Sequence, residues 1–393
     1  MTTVDVLIVG GGLAGARVAQ SYRESGGEGS VSLLAREPHL AYHRPALTKR
    51  LLRGEQEAVD TLVLERDRYR DLDISIKLSA SAQSLDLGRR ELRLKSGETL
   101  AFERLVIATG ALPRRLPILG ADLPGVFALR TIDDSLAIRE AASAGKRAVI
   151  VGTGFIGLEV AASLDARGVE VTLVDRAALP FEALGAERFS AYLVDLYRDH
   201  GIEMLLGDGI REFRGDSALA AVTTSSGRTI DADLAVVGVG VAPATEWLED
   251  SGLELDNGIV VDSSYKAATD VFAVGDVARF NDPVFGRSRR IEHWSNADYQ
   301  GRQLGRILAG EDLSYDRVST FFTEIFGTAY KFFGDATGTD RQELDGSFHD
   351  GRAIIRYFEG DRLGAALLTG QTKDEEAELE TRIRTDALTA NAR

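Results

Sequence analysis

Two segments of this chain share one design. VDVLIVGGGLAGARVAQSYRESG, from Val4, and RAVIVGTGFIGLEVAASLDARG, from Arg147, each give a β-branched run, a glycine turn and a helix pattern. Apolar runs follow both, VSLLA at Val31 and VEVTLVD at Val169. Strand, helix, strand in that order predicts parallel sheets with crossover helices, so an α/β fold. Two copies at domain-scale separation imply two such sheets and exclude a short-period solenoid.

The glycines explain the design. In Gly10-Gly11-Gly12-Leu13-Ala14-Gly15 the first glycine permits a tight turn, Gly12 lets a pyrophosphate approach the backbone, and Gly15 lets helix and strand pack closely. Gly152-Thr153-Gly154-Phe155-Ile156-Gly157 repeats the spacing. A helix N-terminus behind each turn favours phosphate. An acidic residue at the end of the second strand should bind a ribose. Asp175 ends VTLVD and favours an unphosphorylated ribose, hence NAD, while Arg176 beside it would tolerate a 2′-phosphate and admit NADPH. In the first unit the position is Ala35, followed by Arg36 and Glu37. Glu37 is either the ribose partner or a surface charge.

Other strands extend the pattern. RLVIATG at Arg104, DLAVVGVG at Asp233 and DVFAVG at Asp270 are apolar runs ending at glycine, as central strands buried on both faces require. Beyond about Leu313 aromatic residues and the pair of runs in AIIRYFEGDRLGAALLTG predict a small α+β domain, with KDEEAELETRIRT as a solvated helix. At 393 residues, two or three domains are expected. A net charge of −15 argues against nucleic acid as a partner, and no apolar run reaches the roughly 18 residues of a membrane span. A cytoplasmic location is expected. The chain has no cysteine, which excludes disulfides, thiolate metal sites and dithiol relays within it.

Taken together, these residues resemble the FAD-dependent NAD(P)H:ferredoxin reductases of oxygenase systems, within the two-dinucleotide flavoprotein superfamily. The carriers are VGGGLAG, YHRPALTK at Tyr42, LVIATGALPRRLP, LRT at Leu129, VGTGFIGLEVA, VFAVGDVA and RIEHWSNA at Arg290. The resemblance implies an NAD domain (111–239) inserted into a split FAD domain (1–110 and 240–311), followed by a C-terminal α+β domain (312–393). It implies FAD at Gly10, Gly12, Ala14 and Gly15, with Arg130 near its phosphates and Asp276 on the ribityl chain. Glu292 and Trp294 should flank the isoalloxazine, and Arg36, Glu37, Ala82 and Gly240 complete the expected cofactor contacts. The branch usually carries an acid where this chain has Arg36. NADH is expected at Gly152, Gly154, Phe155, Ile156, Gly157, Asp175 and Arg176.

Lys49 matches the branch's lysine beside flavin N5, and Glu159 matches its partner. A fixed cation there would stabilise charge developing during hydride transfer. Read without the resemblance, Lys49 is equally a loop lysine and Glu159 a helix-surface charge. His43, Arg44 and Arg50 read as surface or packing residues. The resemblance further implies a small [2Fe–2S] ferredoxin as acceptor, serving an oxygenase, with the reductase a monomer or homodimer. The arginines of Arg287-Ser288-Arg289-Arg290 and Arg114-Arg115 are candidates to dock it, or ordinary surface ion pairs. FFTEIFGTAYKFFGD lacks the tryptophan usual in that branch and looks more like apoptosis-inducing-factor-like oxidoreductases, leaving rubredoxin, a quinone or oxygen as alternative acceptors, and a slow redox sensor as another role.

Overall fold

In the computed structural model, which describes residues 3–391, both glycine-turn units form as parallel sheets. The first orders Lys266–Ala268, Val271–Ala273, Thr99–Ile107, Thr3–Val9, Val31–Leu34 and Ile74–Lys77. These neighbours are parallel except the first pair, and an antiparallel hairpin, Ala82–Asp86 with Glu91–Leu94, adds to Thr99–Ile107. Val9 is in register with both Leu34 and Ile107, so Gly10, Ala35 and Ala108 meet at one edge. That edge holds the carboxyl ends of the strands, where open α/β sheets bind ligands. Val6, Leu7, Ile8, Leu105, Val106 and Ile107 are fully buried, as strands covered by helices on both faces must be.

The second sheet orders Glu203–Leu206, Glu170–Asp175, Arg147–Val151, Leu234–Val237 and Val126–Ala128, all parallel. The chain passes between the two sheets twice, and the passages lie side by side. Ala111–Pro113 pairs antiparallel with Val241–Pro243.

A third, antiparallel sheet orders Thr320–Ile325, Thr328–Gly334, Arg362–Thr369, Arg352–Glu359 and Arg341–Ser347. The expected pair of runs is its central hairpin, with Glu359 opposite Arg362 across Gly360-Asp361. The last helix, Lys373–Asn391, corrects the expectation of a solvated tail. Leu379 and Ile383 stand one helical turn apart and are buried with Phe358, Leu363 and Leu368. Two apolar residues at that spacing suffice to dock a helix whose other faces stay charged. Ile325, Tyr330, Phe332 and Phe348 share a core with Leu158, Leu173 and Phe189, so the third sheet packs against the second unit. Among the described residues no helix is long and apolar enough to cross a membrane.

Candidate functional site

The first turn opens into a cleft of ≈ 400 Å³, within the range of small-molecule sites. Gly10 has φ +125°, and a Cβ there would lie 2.1 Å from the Ala108 carbonyl oxygen. A Cβ on Gly15 would strike the Gly10 carbonyl oxygen at 2.1 Å, which is how closely the Leu13–Glu24 helix meets the strand. Gly12 is the exception, since a Cβ there would meet nothing within 4 Å. It caps the helix without a side-chain bond, leaving the first amides to an incoming acceptor. The Trp247 indole N–H, also in the cleft wall, is buried without a partner among the described residues. Open space at Gly12, free helix amides and an unsatisfied indole donor suit a dinucleotide carrying phosphates and a polar ring system.

The expected cofactor residues fall in two groups. Gly10, Gly12 and Ala14 line this cleft beside Arg36, Glu37 and Ala82. Arg130, Asp276, Glu292 and Trp294 line it as well, and Arg130 Nη2 donates to Asp276 Oδ2 at 3.0 Å. Glu292 is paired with Arg290. Gly240 lies apart from the wall. Its carbonyl accepts the Arg114 N–H at 2.9 Å where the chain crosses between sheets, and its φ of +93° suits that bend.

The segment from Ala41 to Arg50 contributes more than its sequence announced. Arg44 is not a surface or packing residue. Its Nη2 is 2.8 Å from Glu37 Oε1, and Nη1 donates to the Tyr42 hydroxyl at 2.9 Å and to the Arg130 carbonyl. Glu37 therefore spends its carboxylate on Arg44 and the Tyr42 hydroxyl. Burial would raise this carboxyl, but the Arg44 guanidinium and the Tyr42 bond outweigh it and hold the group below the usual carboxylate range. His43 is also engaged, because the Trp294 indole donates to its Nδ1 at 3.0 Å. Burial, with Arg17 adding to it, pushes the His43 imidazolium down, consistent with a neutral ring that accepts. Arg50 is exposed, as expected.

Lys49 and Glu159 meet. Nζ lies 2.6 Å from Glu159 Oε2, with side chains 10% and 8% exposed. Thr48 and Glu159 line the cleft, and Thr48 Oγ1 donates to the same oxygen at 2.6 Å. The loop is stapled in place by Ser163 Oγ on the Thr48 carbonyl at 2.6 Å and Ser135 Oγ on the Leu47 carbonyl at 2.8 Å. These serines belong to helices beside the second sheet, so the lysine is held where the two units join. Breaking such a buried pair by removing one partner costs about 3–5 kcal/mol.

The second turn repeats the first in its own setting. Gly152 has φ +107°, a Cβ on Gly157 would lie 1.9 Å from the Gly152 carbonyl oxygen, and Gly154 faces open space. From this unit the cleft wall takes Ile156 and Glu159. Phe155 packs against Phe181 and Phe321, with centroids 4.7 and 4.8 Å apart. Asp175 Oδ2 accepts Thr153 N–H at 2.6 Å and Thr153 Oγ1 at 2.7 Å, and Oδ1 accepts Ala177 N–H at 3.0 Å. A carboxylate has about four acceptor sites, so one on Oδ1 is left for a ribose hydroxyl. Arg176 is exposed beside it.

The arginine run forms ion pairs, the second of its two readings. Arg287 is paired with Asp335, Arg289 lies 3.0 Å from Asp335 and 3.4 Å from Asp282, and Arg290 holds Glu292. These cations tie the strands around Asp282 to the third sheet and are spent internally. Arg114 bonds the Val241 carbonyl, while Arg115 is exposed. The short stretch of sequence showed the cations but not the acids that arrive from Asp282 and Asp335.

Residues that the sequence did not single out are Tyr42, Thr48, Trp247 and Thr323. Thr323 Oγ1 donates to Glu159 Oε1 at 2.8 Å from the third sheet. The motif YHRPALTK contained the first two, but no local signal marks Thr323.

Comparison with known proteins agrees with this geometry. Residues 4–301 match the family described as pyridine nucleotide-disulphide oxidoreductase. The ferredoxin–NAD(+) reductase subunit of the benzene 1,2-dioxygenase system of Pseudomonas putida is 33% identical over 371 residues, 94% of this chain and 90% of that one. The ferredoxin reductase component of chlorobenzene dioxygenase from a Cupriavidus species is 35% identical over 370 residues, 94% and 90% of the two chains. The crystal structure of the covalent putidaredoxin reductase–putidaredoxin complex superposes with a TM-score of 0.93 at 30% identity, covering 100% of both chains. Two glycine turns on two parallel sheets, a cleft shaped for a dinucleotide and these matches together place the chain in the pyridine nucleotide-disulphide oxidoreductase family, as an oxidoreductase whose cofactors are FAD and NADH.

Proposed function

We propose that this chain is an NADH:ferredoxin reductase that supplies an oxygenase, such as a cytochrome P450 or a ring-hydroxylating dioxygenase, through a small [2Fe–2S] ferredoxin. The observation that carries the reading is the buried Lys49–Glu159 pair, set where the FAD cleft meets the helix of the second glycine turn. The cleft residues would hold FAD, which would supply the two-electron to one-electron chemistry between NADH and a carrier. Gly12 and the helix amides behind it would hold the phosphates, with Arg130 adding charge. Lys49 supplies a fixed cation beside the cleft, where negative charge builds up during reduction. Glu159 holds that ammonium, and the Thr48 and Thr323 hydroxyls hold Glu159. Ile156 and Glu159 wall the side toward the second turn, with Phe155 packed on Phe321 behind them. Asp175 reads the nicotinamide nucleotide's ribose and favours NADH. With no cysteine in the chain, the electrons leave to a separate carrier.

The reading also takes the FAD domain as 1–110 and 240–311, the NAD domain as 111–239 and the C-terminal domain as 312–393, which the membership of the three sheets supports. It takes the protein as a cytoplasmic monomer or homodimer. The deciding experiment is steady-state NADH oxidation with a panel of [2Fe–2S] ferredoxins beside ferricyanide, rubredoxin and a quinone. Rapid reduction of at least one ferredoxin is expected, and turnover with the other acceptors alone would overturn the proposal. For the site itself, Lys49→Met should slow flavin reduction about 100-fold while FAD stays bound, the scale of losing one preorganised charge-stabilising group. Reduction at the wild-type rate in stopped flow would remove Lys49 from the reaction.

A further inference from the structure

Glu159 is held from two sides by two different parts of the molecule. Its Oε2 takes Lys49 Nζ at 2.6 Å and Thr48 Oγ1 at 2.6 Å, both from the loop after the first unit. Its Oε1 takes Thr323 Oγ1 at 2.8 Å, from the edge strand Thr320–Ile325 of the third sheet, with the Glu324 N–H at 3.4 Å. Strand alternation explains how the third sheet reaches in. Phe321 and Thr323 point inward, Phe321 onto Phe155 and Thr323 onto Glu159, while Phe322 between them is 45% exposed. Thr323 itself is 2% exposed, and its hydroxyl donates to the carboxylate and to nothing else among the described residues.

The geometry matters because the last torsion of a glutamate is broad. A carboxylate anchored through one oxygen swings about that torsion and carries its partner ammonium with it. Anchored through both, it holds one plane, and a hydrogen bond to a charged acceptor is among the strong ones. We propose that Thr323 is a positioning residue for reduction by NADH: its hydroxyl fixes the plane of Glu159 and through it the place of the Lys49 ammonium. The third sheet therefore acts on the hydride-accepting half of the reaction. This rests on the role given above to the Lys49–Glu159 pair.

The test uses the FAD-loaded protein and the substitutions Thr323→Val, which keeps the shape and removes the donor, and Thr323→Ser, which keeps the donor. Each is made alone and with Glu159→Gln. At saturating NADH, Thr323→Val should slow flavin reduction about 10-fold, the scale of one hydrogen bond to a charged group, and Thr323→Ser should stay within about twofold. The midpoint potential of the bound flavin should rise in Thr323→Val, in the same direction as in Glu159→Gln, because the Lys49 charge is less well compensated. In the Glu159→Gln background Thr323→Val should add nothing to either quantity, as coupled neighbours behave. Wild-type rate and potential in Thr323→Val would overturn the proposal. Equal losses in the Val and Ser variants with a fall in thermal midpoint would also overturn it, showing a packing role. If Glu159→Gln leaves reduction unchanged, the role of the ion pair falls and the proposal with it. Slow Glu159→Gln beside normal Thr323→Val overturns the role of Thr323 alone.

Discussion

The two glycine turns are nearly the same object in different surroundings. Gly10 and Gly152 take φ of +125° and +107°, Gly15 and Gly157 press on the carbonyl of the first glycine, and Gly12 and Gly154 face open space. Neither Gly12 nor Gly154 caps its helix with a side-chain bond. The difference begins at the end of the following strand. Beside the first turn Glu37 is tied to Arg44 and Tyr42, and residues from many distant stretches close a cleft. Beside the second, Asp175 braces its own turn through Thr153. The turns share their geometry; the side chains around them differ.

The comparison breaks most sharply at the third position of each turn. Gly12→Ala has room in the protein but fills the space a phosphate would use. The variant should fold, by circular dichroism, yet purify with little or no FAD. Gly154→Ala should keep FAD and raise the Kd for NADH about 10-fold or more, the scale of losing strong phosphate contacts. Loss of FAD from Gly154→Ala would exchange the two assignments. Next in size, Asp175→Asn keeps most of the bracing bonds but removes the charge. The ratio of kcat/KM for NADH over NADPH should fall about 10-fold, as expected for one charge-assisted bond. An equal change for both nucleotides would leave Asp175 a brace only.

A smaller effect tests the aromatic wall on the second side. His293 packs at a tilt against Phe321, with centroids 4.4 Å apart, and burial pushes its imidazolium down to about 4. Its folded-state affinity for protons is below that of the unfolded chain, so the unfolded state binds more protons between the two pKa values. Stability should therefore be full above about pH 6.5 and fall as the pH drops toward 4, by about 1–3 kcal/mol. His293→Phe should remove that part of the acid sensitivity, read as the thermal midpoint at pH 5 against pH 7. The smallest expected effect is at the exposed pair Lys77–Glu98, where Lys77→Ala should change stability by less than about 1 kcal/mol.

The parallel sheets were readable because buried strands and glycine turns are local patterns. LVIATG, LAVVG and VFAVG could hardly be anything but central strands. The glycine-turn side of the cleft was readable for the same reason, since Gly10, Gly12 and Gly15 stand close together in sequence. Lys49 and Glu159 were reached only through the resemblance, because 110 residues separate them and neither has a local signature. The arginines near Arg290 kept two readings open for a related reason. A short stretch of chain shows its own charges and not the acids that fold onto it, here Asp282 and Asp335. Leu379 and Ile383 were hidden among charges, although their spacing was already that of one helix face.

By itself the sequence determined two parallel sheets, their glycine turns and the absence of any thiol chemistry, because these follow from spacing and residue type along the chain. Only the tertiary structure decided that Arg44 serves Glu37, that Trp294 bonds His43, and that Glu159 is shared between Lys49, Thr48 and Thr323. Those contacts join residues far apart in sequence. Their energies depend on burial and on distances of 2.6–3.0 Å, quantities that exist only once three sheets have packed together.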